Sequence, residues 1–345
     1  VLLYSSIQTP MKYPSLPQRL LDAVDRYACP RAQMHRAGGQ WEGISAQEML
    51  RRIAALSGAL AELGVGQGDR VAIYAPNCPE WHVADFAVAG LGAVAVPIYF
   101  RESAERIEYI LNHSGARAIF VAGEEQIARL GEIRHRLAGV ERVIAAGMAA
   151  GTTEAPVRDA LRYQALIATA GQAEMSAYRR RAEAVRPDQL ASIIYTSGTT
   201  GEPKGVMLSH ANFVSNEMAS FEGLSYGPDD VALSFLPLSH VYERLIDYGF
   251  LFRGIPLAYV ARMEDVVQAL LEVRPTLAAA VPRFFEKLYS NIMERGAQAT
   301  GIRRRLFDWA VDVARRAVPW RAYGRGASAG LRLQWRIADR LVYSK

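Results

Sequence analysis

The apolar positions of this 345-residue chain change period several times, and each change marks an element. Residues 1–40 carry no sustained period beyond a helical run over 18–27. Met49, Leu50, Ile53, Leu56, Leu60 and Leu63 then recur three and four residues apart, the spacing of one helix face. Ser45 and Glu48 stand where a capping box would open that helix, and Gly64 where a left-handed residue would close it. Residues 70–75 read as a strand, 79–89 as a helix and 93–98 as a second strand. A helix carrying Ile107, Ile110 and Leu111 leads to a further strand over 118–121. Strands alternating with helices predict a mainly parallel sheet covered on both faces.

Residues 149–186 form a less regular connector rich in Ala and Arg. The alternation restarts with Leu190, Ala191, Ile193 and Ile194, and later strands are expected over 231–235, 256–260 and 276–281, with helices between. The pattern therefore predicts two doubly wound, mainly parallel α/β subdomains, residues 1–186 and 187–345. Gly90-Leu91-Gly92-Ala93-Val94-Ala95 fits a loose dinucleotide fingerprint. It follows a helix and enters a strand, the reverse of the context that fingerprint needs, so its glycines are expected to end the helix.

Composition narrows the class. Half the residues are hydrophobic and 22% are charged, as in an ordinary globular domain. The longest apolar stretch, residues 86–100, is broken by Gly90, Gly92 and Pro97 and is too short to span a bilayer. Two cysteines, Cys29 and Cys78, give no disulfide framework and suit a cytoplasmic setting, and no secretory leader is recognisable. The chain opens on Val1, which reads as a trimmed beginning. Net charge is +5, yet residues 301–345 alone carry eleven basic residues against three acids, a local excess of eight. Arg303-Arg304-Arg305 precede Leu306, Trp309, Ala310, Val313 and Val318 at helical spacing. Such a helix suits peripheral contact with the inner membrane surface, or packs its apolar face on the protein's own body. No nucleic-acid module accompanies the charge, and nucleic acid is not an expected partner.

The candidate chemistry lies in residues 195–212, YTSGTTGEPKGVMLSHAN. A strand feeds Thr196, Ser197, Gly198, Thr199, Thr200 and Gly201, and Lys204 follows before the apolar run 206–208. The glycines allow successive backbone N–H groups to face one anion, the hydroxyls add donors, and the lysine adds a mobile charge. Pro203 departs from the common P-loop pattern, in which a glycine precedes the lysine. A polar hairpin with a surface lysine is the plain alternative.

That string resembles the signature loop of the adenylate-forming, AMP-binding superfamily, which includes acyl-CoA synthetases. Trp41 with Ile44-Ser45, Gly68-Asp69-Arg70-Val71-Ala72-Ile73 and Asn77-Cys78-Pro79-Glu80-Trp81 resemble its amino-terminal landmarks. Leu236-Pro237-Leu238-Ser239-His240-Val241-Tyr242-Glu243-Arg244 resembles a second core motif. Val281-Pro282-Arg283-Phe284-Phe285-Glu286-Lys287 resembles a segment of the long-chain fatty acid–CoA ligase branch.

The resemblance implies an enzyme that joins a fatty acid to AMP from ATP, with Mg²⁺, and transfers the acyl group to CoA. It places Thr196, Ser197, Gly198, Thr199, Thr200, Gly201 and Lys204 on the β- and γ-phosphates. It puts His240 beside the acyl carboxylate as the catalytic candidate, with Tyr242 and Val281 near the substrate. Glu243 and Arg244 either line that cleft or brace it. His35, His82, His113, His135 and His210 show no metal-ligand spacing. Relatives of this kind continue past Lys345 into a Tyr-Gly-x-Thr-Glu segment, a ribose-binding aspartate and a small carboxy-terminal domain carrying a catalytic lysine. The second subdomain is therefore expected to be incomplete here, and residues 1–345 alone are expected not to turn over. An acyl-AMP ligase serving a carrier protein or an amine, and a non-catalytic acyl or nucleotide binder, remain as alternatives.

Overall fold

Residues 15–147, 157, 159–168, 171–196 and 202–344 are described by a computed structural model. They fall into two units, residues 1–279 and 280–345. In the first, α1 (Leu16–Tyr27) precedes a hairpin of β1 (Gln33–Ala37) and β2 (Gln40–Ile44). Gly38 and Gly39, with φ of +56° and +85°, make its turn, as a two-residue hairpin of matching twist requires. This hairpin was not among the expected elements, although a Gly-Gly pair between short alternating runs is its ordinary signal.

Then come α2 (Ala46–Glu62), β3 (Arg70–Tyr74), α3 (Pro79–Ala89), β4 (Val94–Ile98), α4 (Ala104–Ser114), β5 (Ala118–Ala122), α5 (Glu124–Ile133) and β6 (Arg142–Ala146). The capping box forms by half. Ser45 accepts from the Glu48 backbone N–H at 3.1 Å, while the Glu48 carboxylate turns outward to Arg51 and Arg52. Two arginines on its own helix outcompete the single backbone donor, and they hold the Glu48 carboxyl at about 2. The connector is more regular than its composition suggested, giving β7 (Ala160–Arg162), α6 (Tyr163–Ile167) and α7 (Gln172–Ala184). Tyr178 of α7 is fully buried and donates to the Phe86 carbonyl at 3.0 Å. Its ring leaves no room beside Gly90, where an added Cβ would stand 2.2 Å from a ring carbon. Gly90 thus ends α3 and admits α7, and the dinucleotide fingerprint dissolves into packing.

The chain continues through β8 (Leu190–Thr196), β9 (Lys204–Ser209), α8 (His210–Phe221), β10 (Ala232–Ser234), α9 (Val241–Leu251), β11 (Leu257–Tyr259), α10 (Val266–Val273) and β12 (Leu277–Ala278). The seven-stranded sheet runs β7-β6-β5-β3-β4-β8-β9 and the five-stranded sheet β12-β10-β11-β1-β2. Both are parallel except where β8 meets β9 and β1 meets β2. Every residue of β4 and β5 is buried, as expected of parallel strands covered on both faces. The sheets exchange segments across residue 187: β8 and β9 join the sheet of the preceding strands, and β1 and β2 join that of the following ones. Linear reading of the alternation could not show this, because pairing partners lie far apart in sequence.

In the second unit, Pro282 opens α11 (Pro282–Gln298), and the strand expected over 276–281 shrinks to β12 before it. A further pair, α12 (Gly301–Tyr323) and α13 (Ala329–Ala338), follows, and a π-helical turn Asp339–Tyr343 extends α13. Ala310, Val313 and Ala317 of α12 are buried, and Ala310 and Val313 cluster with Ala338, Trp335, Val342 and Tyr343. The apolar series foreseen on α12 is therefore largely consumed inside this helical pair, while Val318 faces outward. Among the described residues, no helix is long and apolar enough to cross a membrane.

Candidate functional site

Thr196 and Lys204 face each other as the last paired residues of the β8–β9 hairpin. Ser197, Gly198, Thr199, Thr200 and Gly201 lie outside the described residues. The base of the hairpin is fixed from α4: Tyr109 donates its hydroxyl to the Pro203 carbonyl at 3.2 Å, and His113 Nδ1 lies 2.7 Å from the Tyr195 hydroxyl. Gly205 has a packing reason of its own, since an added Cβ would stand 2.7 Å from Ile193 Cγ2 on the paired strand. Tyr109 and His113 were not anticipated; their helix is amphipathic, and nothing in one sequence ties it to a loop some ninety residues on.

His240 is the N-cap of α9. Its ring Nδ1 accepts from the Tyr242 backbone N–H at 3.3 Å, and the side chain is exposed. Tyr242 is exposed as well, whereas Glu243 and Arg244 are each 99% buried, with 1% accessibility. Those two brace the turn rather than line it. Glu243 Oε1 accepts from the backbone N–H groups of Phe235 and Leu236 at 3.0 and 3.3 Å. From the other side, the Asn77 amide donates to the Leu236 carbonyl at 2.8 Å and to Ser234 at 3.1 Å. The Leu238 backbone N–H in turn donates to Asn77 Oδ1 at 3.4 Å. Two motifs 160 residues apart thus meet on one turn, the one that delivers His240.

Arg244 reaches across to the other sheet. It donates to Asp85 of α3 through Nε at 3.1 Å and through Nη2, and to Ser192 of β8 at 2.7 Å. Ser192 passes the contact on, donating to the Ala95 carbonyl at 2.7 Å. The guanidinium also lies 5.3 Å from the Trp81 ring centre and 5.1 Å from that of Phe213. The helix carrying His240 and the strand carrying Thr196 therefore share one buried cation. Asp85 and Ser192 could have been suspected only as lone polar residues within apolar runs.

Burial sets the protonation of this region. Desolvation, helped by Arg244, pushes His82 down to about 3, and His210 down to about 4. Burial and mutual repulsion push the Glu243 carboxyl well up, and burial raises Asp247 as well, so the pair retains a proton near neutrality. Tyr259 lies 2.8 Å from His82 Nδ1 and accepts from the Gln33 amide at 3.1 Å. A cleft of about 310 Å³ opens beside it, at the carboxyl end of β11, between Asn77, Glu80 and the β1–β2 hairpin. Carboxyl ends of parallel strands are where α/β sheets bind ligands.

Val281 caps α11 in the second unit and is 37% exposed. Among the described residues no group of three His, Cys, Asp or Glu could hold a metal ion, so Mg²⁺ is assigned no ligand here.

A family model for AMP-binding enzymes matches residues 22–324. A peroxisomal long chain acyl-CoA synthetase 6 of Arabidopsis thaliana is 29% identical over 93% of this chain and 44% of its own length. A long-chain-fatty-acid–CoA ligase, FadD15, of Mycobacterium bovis is 33% identical over 89% of this chain and 50% of its own. The chain thus spans about half the length of the curated relatives it matches. Among solved structures, the N-terminal domain of FACL13 from Mycobacterium tuberculosis superposes with a TM-score of 0.63 at 23% identity. That match covers 79% of this chain and 64% of the other, and it shows a shared fold.

Proposed function

Because this chain belongs to the AMP-binding enzyme family, we propose that the intact protein is a long-chain fatty acid–CoA ligase. A fatty acid carboxylate oxygen attacks the α-phosphorus of ATP, forming acyl-AMP and releasing pyrophosphate. The thiol of CoA then attacks the acyl carbonyl and expels AMP. Thr196, Ser197, Gly198, Thr199, Thr200, Gly201 and Lys204 hold the β- and γ-phosphates, and preorganised donors there lower the cost of charge leaving with pyrophosphate. His240 contacts the acyl carboxylate, with Tyr242 and Val281 on the substrate side. The observation that carries the reading is the loop sequence 195–212 together with its closure, which sets Thr196 opposite Lys204. Free thiols at Cys29 and Cys78 support a reducing cytoplasmic setting.

Residues 1–345 alone do not complete the reaction in this proposal, in keeping with their spanning 44% and 50% of two ligase-named relatives. The test is fatty-acid-dependent ATP–pyrophosphate exchange, comparing the 345-residue chain with a protein carried to the relatives' length. Exchange is expected in the longer protein and lost in its Lys204→Ala variant. Exchange with transfer to a carrier protein but not to CoA would move the acceptor. Fatty acid or nucleotide binding with no exchange in the longer protein would replace the ligase by a binding module.

A further inference from the structure

The turn between β10 and α9 carries His240, and its place is set from outside its own sheet. Within the turn, the His240 backbone N–H donates to the Pro237 carbonyl at 2.9 Å. Glu243 binds the turn from α9, the helix that the turn itself starts, so that contact closes the turn without locating it. Asn77 binds it from the loop after β3, the middle strand of the seven-stranded sheet. One amide there bonds a carbonyl and an N–H two residues apart. Its Nδ2 donates to the Leu236 carbonyl at 2.8 Å, and its Oδ1 accepts from the Leu238 N–H at 3.4 Å. The Ser234 hydroxyl gives its one proton to Asp247 at 2.7 Å, so it can only accept from Asn77. These three partners fix the amide, since turning it over would set oxygen against oxygen and N–H against N–H. Pro76 and Pro79 stiffen the loop on either side of Asn77. His240 Nδ1 accepts from the Tyr242 N–H, which leaves Nε2 as the ring's N–H donor.

We infer that Asn77 is a positioning residue for the acyl carboxylate site: it sets where the turn holds His240 Nε2. It acts through His240 and is assigned no contact of its own with substrate. The inference rests on the ligase reading for its chemistry and on the hydrogen bonds above for its geometry. Truncating Asn77 takes from the Leu236 carbonyl and the Leu238 N–H the partner they share. The cleft of about 310 Å³ that Asn77 lines lets water reach the vacated space, so the fold survives while the turn loses its fixed support. A misplacement of about 1 Å at a reacting group costs up to about a hundredfold in rate.

The experiment uses the protein carried to the relatives' length, with two readouts: fatty-acid-dependent ATP–pyrophosphate exchange and hydrogen exchange of the turn amides. Asn77→Ala is expected to lower kcat about ten- to hundredfold. KM for ATP should change by less than about twofold, because the phosphate loop keeps its own supports. The Leu238 and His240 amides are expected to exchange at least about fivefold faster, the equivalent of one lost hydrogen bond. Amides of β5 should be unchanged, which reports an intact fold. In a His240→Ala background, Asn77→Ala is expected to cost little more, because the group through which it acts is already gone. Losses that multiply instead place the action of Asn77 elsewhere and overturn the inference. Unchanged turn amides overturn it as well, as does a kcat within about twofold of the parent. Should Asn77→Ala fail to fold, Asn77→Ser takes its place; its hydroxyl stops about one bond short of Leu236 and Leu238, and the same losses are expected. Undiminished pyrophosphate exchange by His240→Ala overturns the role of His240 and this inference together. Faster turn amides in a longer protein whose parent shows no pyrophosphate exchange would remove the ligase reading and leave the placement of His240 by Asn77 standing.

Discussion

Arg244→Met tests whether one buried cation fastens the two sheets. The side chain is 1% exposed and donates to Asp85, Ser192 and Tyr248. Methionine fills much of the same volume and removes the charge, leaving Asp85 buried with the Tyr248 hydroxyl as its remaining partner. Breaking one side of a buried ion pair costs about 3–5 kcal/mol, a factor of about a thousand in the folding equilibrium. Adding Asp85→Leu removes the stranded carboxylate, so the double variant should recover a large part of that loss. The expected coupling between the two positions is about 2 kcal/mol or more. Urea unfolding reports it directly, because Trp81 is fully buried and its ring lies 5.3 Å from the guanidinium. If the two single losses add to within about 0.5 kcal/mol in the double variant, the residues act independently and the fastening argument fails.

Gly90→Ala should cost about 1–3 kcal/mol, because the buried Tyr178 ring cannot yield to the new Cβ; thermal unfolding measures it. His210 is held near 4 by burial, against 6.5 when free. Its neutral form stabilises the fold above pH 6.5, and that contribution falls away as pH drops toward 4. The wild type should therefore lose up to about 3 kcal/mol over that range relative to His210→Asn, read from denaturant midpoints at each pH. Glu48 is lowered from 4.5 to about 2, chiefly by Arg51, so its contribution is present above pH 4.5 and fades toward pH 2. Being about one-third exposed, it should be worth no more than about 1 kcal/mol, and Glu48→Gln should flatten that acid limb of the stability profile.

The stretch from α2 to β5 was legible because its signals are local. Helix α3 and the strands flanking it fall within a residue of where periodicity places them. Family membership was equally legible, since the phosphate-loop string and the Leu236–Arg244 motif are contiguous. What could not be read was partnership at distance. Asn77 and Glu243 pin the same turn from motifs far apart, and only the folded chain shows that the second motif divides into exposed Tyr242 and buried Glu243 and Arg244. The basic helix was legible in the same local way: of the two readings its apolar period allowed, the structure shows packing within the helical pair, with Ala310 and Val313 buried against Ala338 and Trp335.

The place of β1 in its sheet carries a consequence for synthesis. β1 lies between β2 and β11, and Gln33 finds its Tyr259 partner 226 residues later. A ribosome adding about 5–20 residues per second needs roughly 11–45 s to make that stretch. During this interval the hairpin offers an unpaired strand edge to the cell, a template for intermolecular pairing until β11 arrives. The nascent chain's vulnerability is thus set by the wait between its first strand and its eleventh, and slowing translation before residue 257 should lengthen the exposure to chaperones.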